Sequence, residues 1–529
     1  MGINDNNETE KMDDADPISA ESELNRRDFL TAGIGLAGSL IVGSNIPAIA
    51  EETKKGAGKM TNAIVEIKNL KGKVLTPQDP EFKTQLHDVW NKLVPLDRMP
   101  QVIVIVDNED DVVEAVKYAR EKGMKVSVRG GGHNWCNPTI RNSGMLIDLT
   151  NLNKVISIDT KTKKAITQPI VSNREMQKAL NAHGLSYPTG HCPQVKMSGY
   201  LLSGGMSWNQ GVWGPGVGSI DAIELVTAEG KRITASAKEN QDYFWAMRGA
   251  GPGCFAIALR YHLSLYDLPQ YIAGNSYYLP VSEIKNAADW LEANAKKLDP
   301  SIELSLWLLE APANLQDKCK ADNGKVASVT ATVFANTEAE ARERLKPFDE
   351  FPLLDKCLSK SIMDKFTFEQ LFDFSGSLWP EGLRNEVEAM FSNSKLSELF
   401  GAVTDHFLKT PSKITVLMYA IFTGPNVPQP TPKDAAFCMN GHYYGGPWTM
   451  WKTEAEDGPN RAWQKKCIEL LKPFTAGHYV SESDTVTYPD HAVNAYTKAN
   501  WEKIAELRKK YDPTGLFFNY QDGLTANKV

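Results

Sequence analysis

Hydrophobic and polar positions fall into a regular pattern only from about residue 100. Residues 102–106, Val-Ile-Val-Ile-Val, form an unbroken apolar run of the kind carried by a strand buried on both faces. Asn108 can cap the helix that follows, and Val112, Val113, Val116 and Ala119 recur at helical spacing until Gly123 stops it. Residues 125–128 predict the next strand, which runs straight into Arg129-Gly-Gly-Gly-His133. A strand–helix–strand unit with a glycine loop at a strand's carboxyl end is where open α/β structures bind ligands. Further short strands are predicted at 145–149, 155–158, 165–170 and 219–227, with a helix at 173–183 ended by Gly184.

Past Leu268-Pro269 the pattern changes. Longer amphipathic helices at 284–298 and 337–345 alternate with strands at 326–333 and 414–422, and a last helix at 501–510 halts at a proline turn. The chain therefore divides into 76–268, 269–480 and a closing segment 481–529, preceded by a leader at 1–50 and a linker at 51–75.

The leader reads as a targeting segment. Arg26-Arg27 precede a mildly apolar, glycine-rich run, and Ala48-Ile49-Ala50 supply a small-residue cleavage site. Ser39, Ser44 and Asn45 make that run a weak membrane spanner, and no second apolar stretch follows. Export by the twin-arginine machinery is expected, to the periplasm or beyond, with no stable membrane insertion after cleavage. A net charge of −7 argues against nucleic acid as a partner, because phosphate binding needs a basic face. Seven cysteines without CxxC spacing argue against a metal site.

Two loops carry candidate chemistry. His133 follows three glycines, and Cys192 sits in Gly190-His-Cys192-Pro-Gln-Val195. Glycines let bare amide groups reach phosphate oxygens, or let a side chain reach a flat ligand. Singly, each loop also fits an ordinary turn or a buried spectator cysteine. The glycines between Gly211 and Gly218 lack the strand–turn–helix frame of a dinucleotide site.

Four segments stand in order: Val128-Arg-Gly-Gly-Gly-His133, Tyr187-Pro-Thr-Gly-His-Cys192-Pro-Gln-Val195, a third running from Phe244 through Arg248 to Gly253, and Tyr511-Asp-Pro-Thr-Gly-Leu-Phe517. Together they resemble the berberine-bridge-enzyme-like family of FAD-linked oxidases, within the vanillyl-alcohol-oxidase (PCMH-type) fold. The resemblance implies an α+β protein: a PCMH-type FAD-binding domain of two α/β subdomains, and a substrate domain whose antiparallel sheet is covered by helices. It implies FAD held by two covalent bonds, from His133 to the 8α-methyl carbon and from Cys192 to ring carbon 6. Arg129, Gly130, Gly131, Gly132 and Asn134 match the loop at the pyrophosphate. Gly199, Ser203, Gly204 and Gly205 fall in a second glycine stretch by the cofactor, and Asn519 in the closing segment. Val195 matches a position near flavin C4a where a small side chain goes with oxygen access. Two departures from the family pattern, Ser198-Gly199-Tyr200 and a closing segment without its arginine, set the chain apart.

The activity so implied is hydride transfer from an alcohol carbon of a sugar or other hydroxylated small molecule to flavin N5, with oxygen as acceptor. The alternatives are an amine or heterocycle oxidase, a dehydrogenase serving a periplasmic carrier, and a non-catalytic flavin-binding or electron-carrier protein. Candidate bases are Tyr444 and Tyr443, with His442 behind them, and Trp448 and Trp451 could stack on a substrate ring. An aromatic cluster in a sheet packs more often than it catalyses.

Overall fold

The apolar run at 102 becomes the strand Val102–Ile105, paired in parallel with Met145–Asp148, which pairs in parallel with Val126–Arg129 on its other side. Lys73–Leu75 adds an antiparallel edge. Asn108 caps the helix Glu109–Glu121, its side-chain oxygen accepting from the backbone of Asp110 and Asp111. The predicted apolar face packs inward at Val112, Val116 and Ala119, and Gly123 ends the helix at a φ of 63°. This computed structural model describes residues 65–520 and Asp522, so the twin-arginine pair and cleavage site lie outside the described residues. Among the described residues no helix is long and apolar enough to cross a membrane.

A second, five-stranded antiparallel sheet runs in the order Val155–Asp159, Lys164–Thr167, Ala256–Ser264, Ile220–Thr227, Arg232–Ser236. The strand predicted at 165–170 ends early, at Thr167, where Gln168 and Ile170 bond instead to Lys154 and Leu152. Next to it the helix Asn173–Asn181 starts from a capping box made by Ser172 and Glu175.

The third element is a nine-stranded sheet, antiparallel throughout. Its centre is formed by Lys325–Ala335, Ile302–Glu310, Val416–Ile421 and Tyr443–Trp451. The helices Ile284–Ala295, Leu396–Phe407 and Asp457–Leu471 cover one face through Leu291, Phe400, Val403 and Trp463. The other face turns Trp307, Tyr444 and Trp448 toward the first two sheets. Residues 271–279 and 302–310 are not predicted as strands, and 443–451 is placed among strands by the family resemblance and not by its pattern. Tyr443–Trp451 is buried along its whole length, so it lacks the half-polar alternation that marks a strand in sequence.

The closing segment returns to the first sheet. The amide of Val126 donates to Leu516 at 2.7 Å, and the amide of Phe518 donates to Val126 at 3.0 Å. Arg508 fastens the same segment to the Gly253 carbonyl at 2.6 Å. The architecture is α+β: two sheets carrying glycine loops, faced by a large helix-backed sheet.

Candidate active site

The glycine loop after Val126–Arg129, the helix Met197–Leu202 and the strand Ala256–Ser264 enclose a cleft of about 210 Å³. Gly132 sits at a φ of 61°, where side chains are strained. A Cβ on Gly130 would lie 2.1 Å from Ser198 Oγ, so the bare glycine lets the loop pack directly on the serine hydroxyl. His133 lines the cleft and stacks on Trp90, with ring centroids 4.5 Å apart. Among the described residues its Nε2 is buried without a hydrogen-bond partner, as is Ser198 Oγ. Burial, helped by the charge of Lys196, lowers the His133 pKa to about 4, so the imidazole is neutral and one nitrogen is free.

The remaining residues matched to the cofactor divide. Gly131, Asn134, Gly199 and Ser203 line the cleft with His133. Asn134 also donates to the Ser481 carbonyl at 3.1 Å, tying the glycine loop to the closing segment. Arg129 turns inward beneath the loop, its Nε 3.2 Å from Asp148 Oδ2 and its Nη1 3.1 Å from the Leu86 carbonyl. It supports the loop from below. Gly204 and Gly205 stand one layer back: Gly204 packs against the Phe437 ring, and the Gly205 amide donates to the Tyr479 hydroxyl at 3.1 Å. Asn519 is exposed away from the cleft, because Phe518 and Tyr520 on either side take the buried positions.

A second cavity, of about 220 Å³, lies between the Cys192 loop and the open face of the large sheet. Trp135, Trp208, Trp307, Trp379 and Trp448 form much of its wall. Trp135, Val195, Tyr200, Tyr479 and Glu482 line both cavities, so the two meet at these residues. Cys192 faces the second cavity and His133 the first. Burial raises the Cys192 thiol well above its usual range, and the charge of Glu482 adds to the shift.

Tyr444 is the candidate base that reaches this cavity. Its hydroxyl donates to Glu482 Oε2 in a short hydrogen bond. Burial raises the pKa of both groups: Tyr444 goes well above 10 with the Glu482 charge adding to it, and Glu482 rises although the Tyr444 hydrogen bond pulls it back. Tyr443 points the other way. Successive strand residues face opposite sides, which puts Tyr443 in the helix-covered core at 2% exposure. His442 is a half-buried loop residue outside both cavities, its amide donating to the Ser392 carbonyl at 3.0 Å. Trp448 lines the cavity, whereas Trp451 is buried and donates its indole N–H to Asp457 Oδ1 at 2.6 Å.

Sequence reasoning missed Glu482, Tyr479 and a second polar pair. His191 Nε2 donates to Glu303 Oε2 at 3.2 Å, with its ring centroid 4.0 Å from that of Trp208. Both residues line the cavity. The position of His191 beside Cys192 was the signal available for it. Glu482 had none, because residues 479–488 carry no hydrophobic period.

Residues 100–236 match the FAD binding domain family. The chain is 24% identical to the FAD-linked oxidoreductase nodO of Hypoxylon pulicicidum, over 83% of this chain and 94% of that protein. In fold it is similar to 6-hydroxy-D-nicotine oxidase of Arthrobacter nicotinovorans, with a TM-score of 0.71 and 22% identity over 85% of this chain and 98% of that one. It is equally similar to Phl p 4, a grass pollen allergen with glucose dehydrogenase activity, with a TM-score of 0.72 and 17% identity over 85% of this chain and 96% of that one. Fold and matched domain define the class: a protein with an FAD binding domain at residues 100–236 and the PCMH-type FAD-binding fold. The cleft suits that cofactor, since a glycine cradle stands beside two buried polar atoms, His133 Nε2 and Ser198 Oγ, that lack partners.

Proposed function

We propose that the protein oxidises a largely apolar, ring-bearing small molecule at a carbon next to a hydroxyl or amine, with Tyr444 and Glu482 removing the proton. The observation that carries this reading is the Tyr444–Glu482 hydrogen bond beside the joint of the two cavities. FAD, when bound, supplies the hydride acceptor. Tyr444 accepts the proton from the substrate's O–H or N–H and passes its own to the Glu482 carboxylate. The two transfers are coupled, because burial keeps a standing phenolate out of reach while bringing the carboxyl nearer to neutral pH. The tryptophan walls exclude water and offer flat faces to a ring.

The tryptophan walls shift the substrate expectation from simple sugars toward a ring-bearing molecule with a flat apolar face. An amine is the second reading: the cavity lining includes Glu303 and Glu482 and, among the described residues, no lysine or arginine. The neutral His133 with its free nitrogen, and Cys192 on the far side of the joint, support covalent attachment of FAD at both residues. Val195, small and facing both cavities, supports oxygen as the electron acceptor over a periplasmic carrier. The leader supports export by the twin-arginine machinery to the periplasm or outside the cell. The test is anaerobic bleaching of the flavin by a panel of aromatic and alicyclic amines and alcohols. Bleaching in the parent protein that is lost in Tyr444→Phe upholds the reading, and equal rates in both overturn it.

A further inference from the structure

Glu388 is a buried carboxylate that the chemistry above does not use. It accepts from His478 Nδ1 at 2.7 Å, from His491 Nδ1 at 3.0 Å and from the Asp484 amide at 3.2 Å. Burial alone would raise its pKa, but the hydrogen bonds and charges of His478 and His491 hold it at about 2. The two imidazoles stack with centroids 4.0 Å apart and planes 14° apart, and Tyr488 stacks on His491. Parallel rings aim their in-plane nitrogens side by side at the two oxygens of one carboxylate. The ligand atoms of the three residues also lie within 4.8 Å of one another, close enough for a metal ion to bridge them.

What this carboxylate grips is a loop. His478 precedes residues 479–483 and Asp484 follows them, so Glu388 holds the loop at both ends. Ala389 closes the clamp: its amide donates to the Glu482 carbonyl at 2.8 Å, and its carbonyl accepts from the Tyr479 amide at 3.2 Å and from Ser483 Oγ at 2.8 Å. The loop so held carries Tyr479 and Glu482, both of which face the two cavities. Hydrogen bonds to a charged acceptor are roughly twice as strong as neutral ones, which suits a clamp that must fix a side chain and not merely bury it.

We infer that Glu388, through His478 and His491, is a positioning residue that sets Glu482 against the Tyr444 hydroxyl. The inference rests on the Tyr444–Glu482 reading of the site. It extends that reading to a charged cluster behind the loop, on the side away from the substrate. Tyr444, Tyr479, His191 and Cys192 are the titratable groups around Glu482 itself.

The test uses the full, flavin-loaded chain with Glu388→Gln, and with His491→Phe, which keeps the ring stack but loses the donor. Hydrogen exchange is read over residues 479–485, and the Glu482 carboxyl is titrated by the infrared band that Glu482→Gln removes. Both variants are expected to speed exchange over 479–485 by about tenfold and to leave 130–135 unchanged. Both are expected to raise the Glu482 midpoint by about one pH unit, because a weakened Tyr444 bond leaves burial to dominate. Glu388→Asp should recover part of both effects. Unchanged exchange and midpoint in His491→Phe overturn the inference, as does faster exchange spread evenly over the molecule, or a stoichiometric divalent metal released by Glu388→Gln. Neither readout needs turnover. Glu482→Gln that still turns over therefore sinks the base assignment alone, while an unmoved midpoint sinks the positioning role alone.

Discussion

The Tyr444 hydroxyl donates to the Glu482 carboxylate across the joint between the large sheet and the returning loop. Each partner comes from a different element, so their meeting depends on tertiary packing. If they act in series on one proton, Tyr444→Phe and Glu482→Gln should each lower turnover by about 10²–10⁴-fold. The double variant should lose little more than either single one, because groups acting as a unit are not additive. Flavin absorbance should survive in all three. Single-turnover reduction by a bleaching substrate measures the effect.

The acid limb of activity follows from Glu482. Its pKa is raised above the usual 4.5 by burial, and the base works only when ionised, so kcat/KM should fall as pH drops through that raised value. Glu482→Gln should flatten the limb. For stability the sign is opposite. A carboxyl raised in the folded state binds its proton more tightly there, contributing stability that is present below the unfolded value and lost as pH rises through the folded one. Glu482→Gln should therefore gain stability relative to the parent at neutral pH and not at pH values below about 4. Denaturant midpoints across that range decide it.

Flavin attachment can be dissected one bond at a time. His133→Ala and Cys192→Ser should each keep yellow flavin on the acid-denatured chain through the remaining bond, and the double variant should release it. Free flavin from either single variant would show that one residue carries the whole attachment. Peptide mapping under denaturing conditions reads the outcome directly.

Gly132 and Gly123 make a controlled pair. Both lie at positive φ, 61° and 63°, so alanine costs about 1 kcal/mol at either. A Cβ at Gly123 meets open space, but one at Gly132 lies 3.2 Å from Val89 Cγ1 and 3.3 Å from the Asp88 carbonyl, beside the cleft. Gly132→Ala should lower flavin content as well as melting temperature, whereas Gly123→Ala should lower only the latter. Flavin-to-protein absorbance ratios separate them.

The flavin lobe was legible because its signals are local. An apolar run, a cap and a stop residue define 102–123, and glycines beside His133 and Cys192 mark both loops within a few positions. The substrate lobe was legible only in part, since Tyr443–Trp451 is apolar on both faces and shows no period. Between Tyr443 and Tyr444, strand register decides which one faces the cavity, and register is not written in a dipeptide. Glu482 was invisible because its place is set by Ala389 and Glu388, far away in the chain. Gly204 and Gly205 show the converse: glycines next to a cavity in sequence can serve the layer behind it.

Val195 offers the sharpest test of the electron acceptor. Its side chain lines both cavities, and its carbonyl is held by the Asn173 amide at 2.9 Å, so the residue is fixed where the two cavities meet. Val195→Leu adds bulk at the joint, and Val195→Ala removes it. If oxygen reaches the flavin past this residue, leucine should slow reoxidation by oxygen about tenfold, a barrier increase of about 1.4 kcal/mol, and alanine should not slow it. Reduction by substrate should change much less than reoxidation in both variants. A dye that takes electrons without entering the cavity should reoxidise all three proteins alike. Stopped-flow mixing of the reduced enzyme with oxygen or dye gives each rate, and equal oxygen rates in valine, leucine and alanine forms would remove Val195 from the oxygen path.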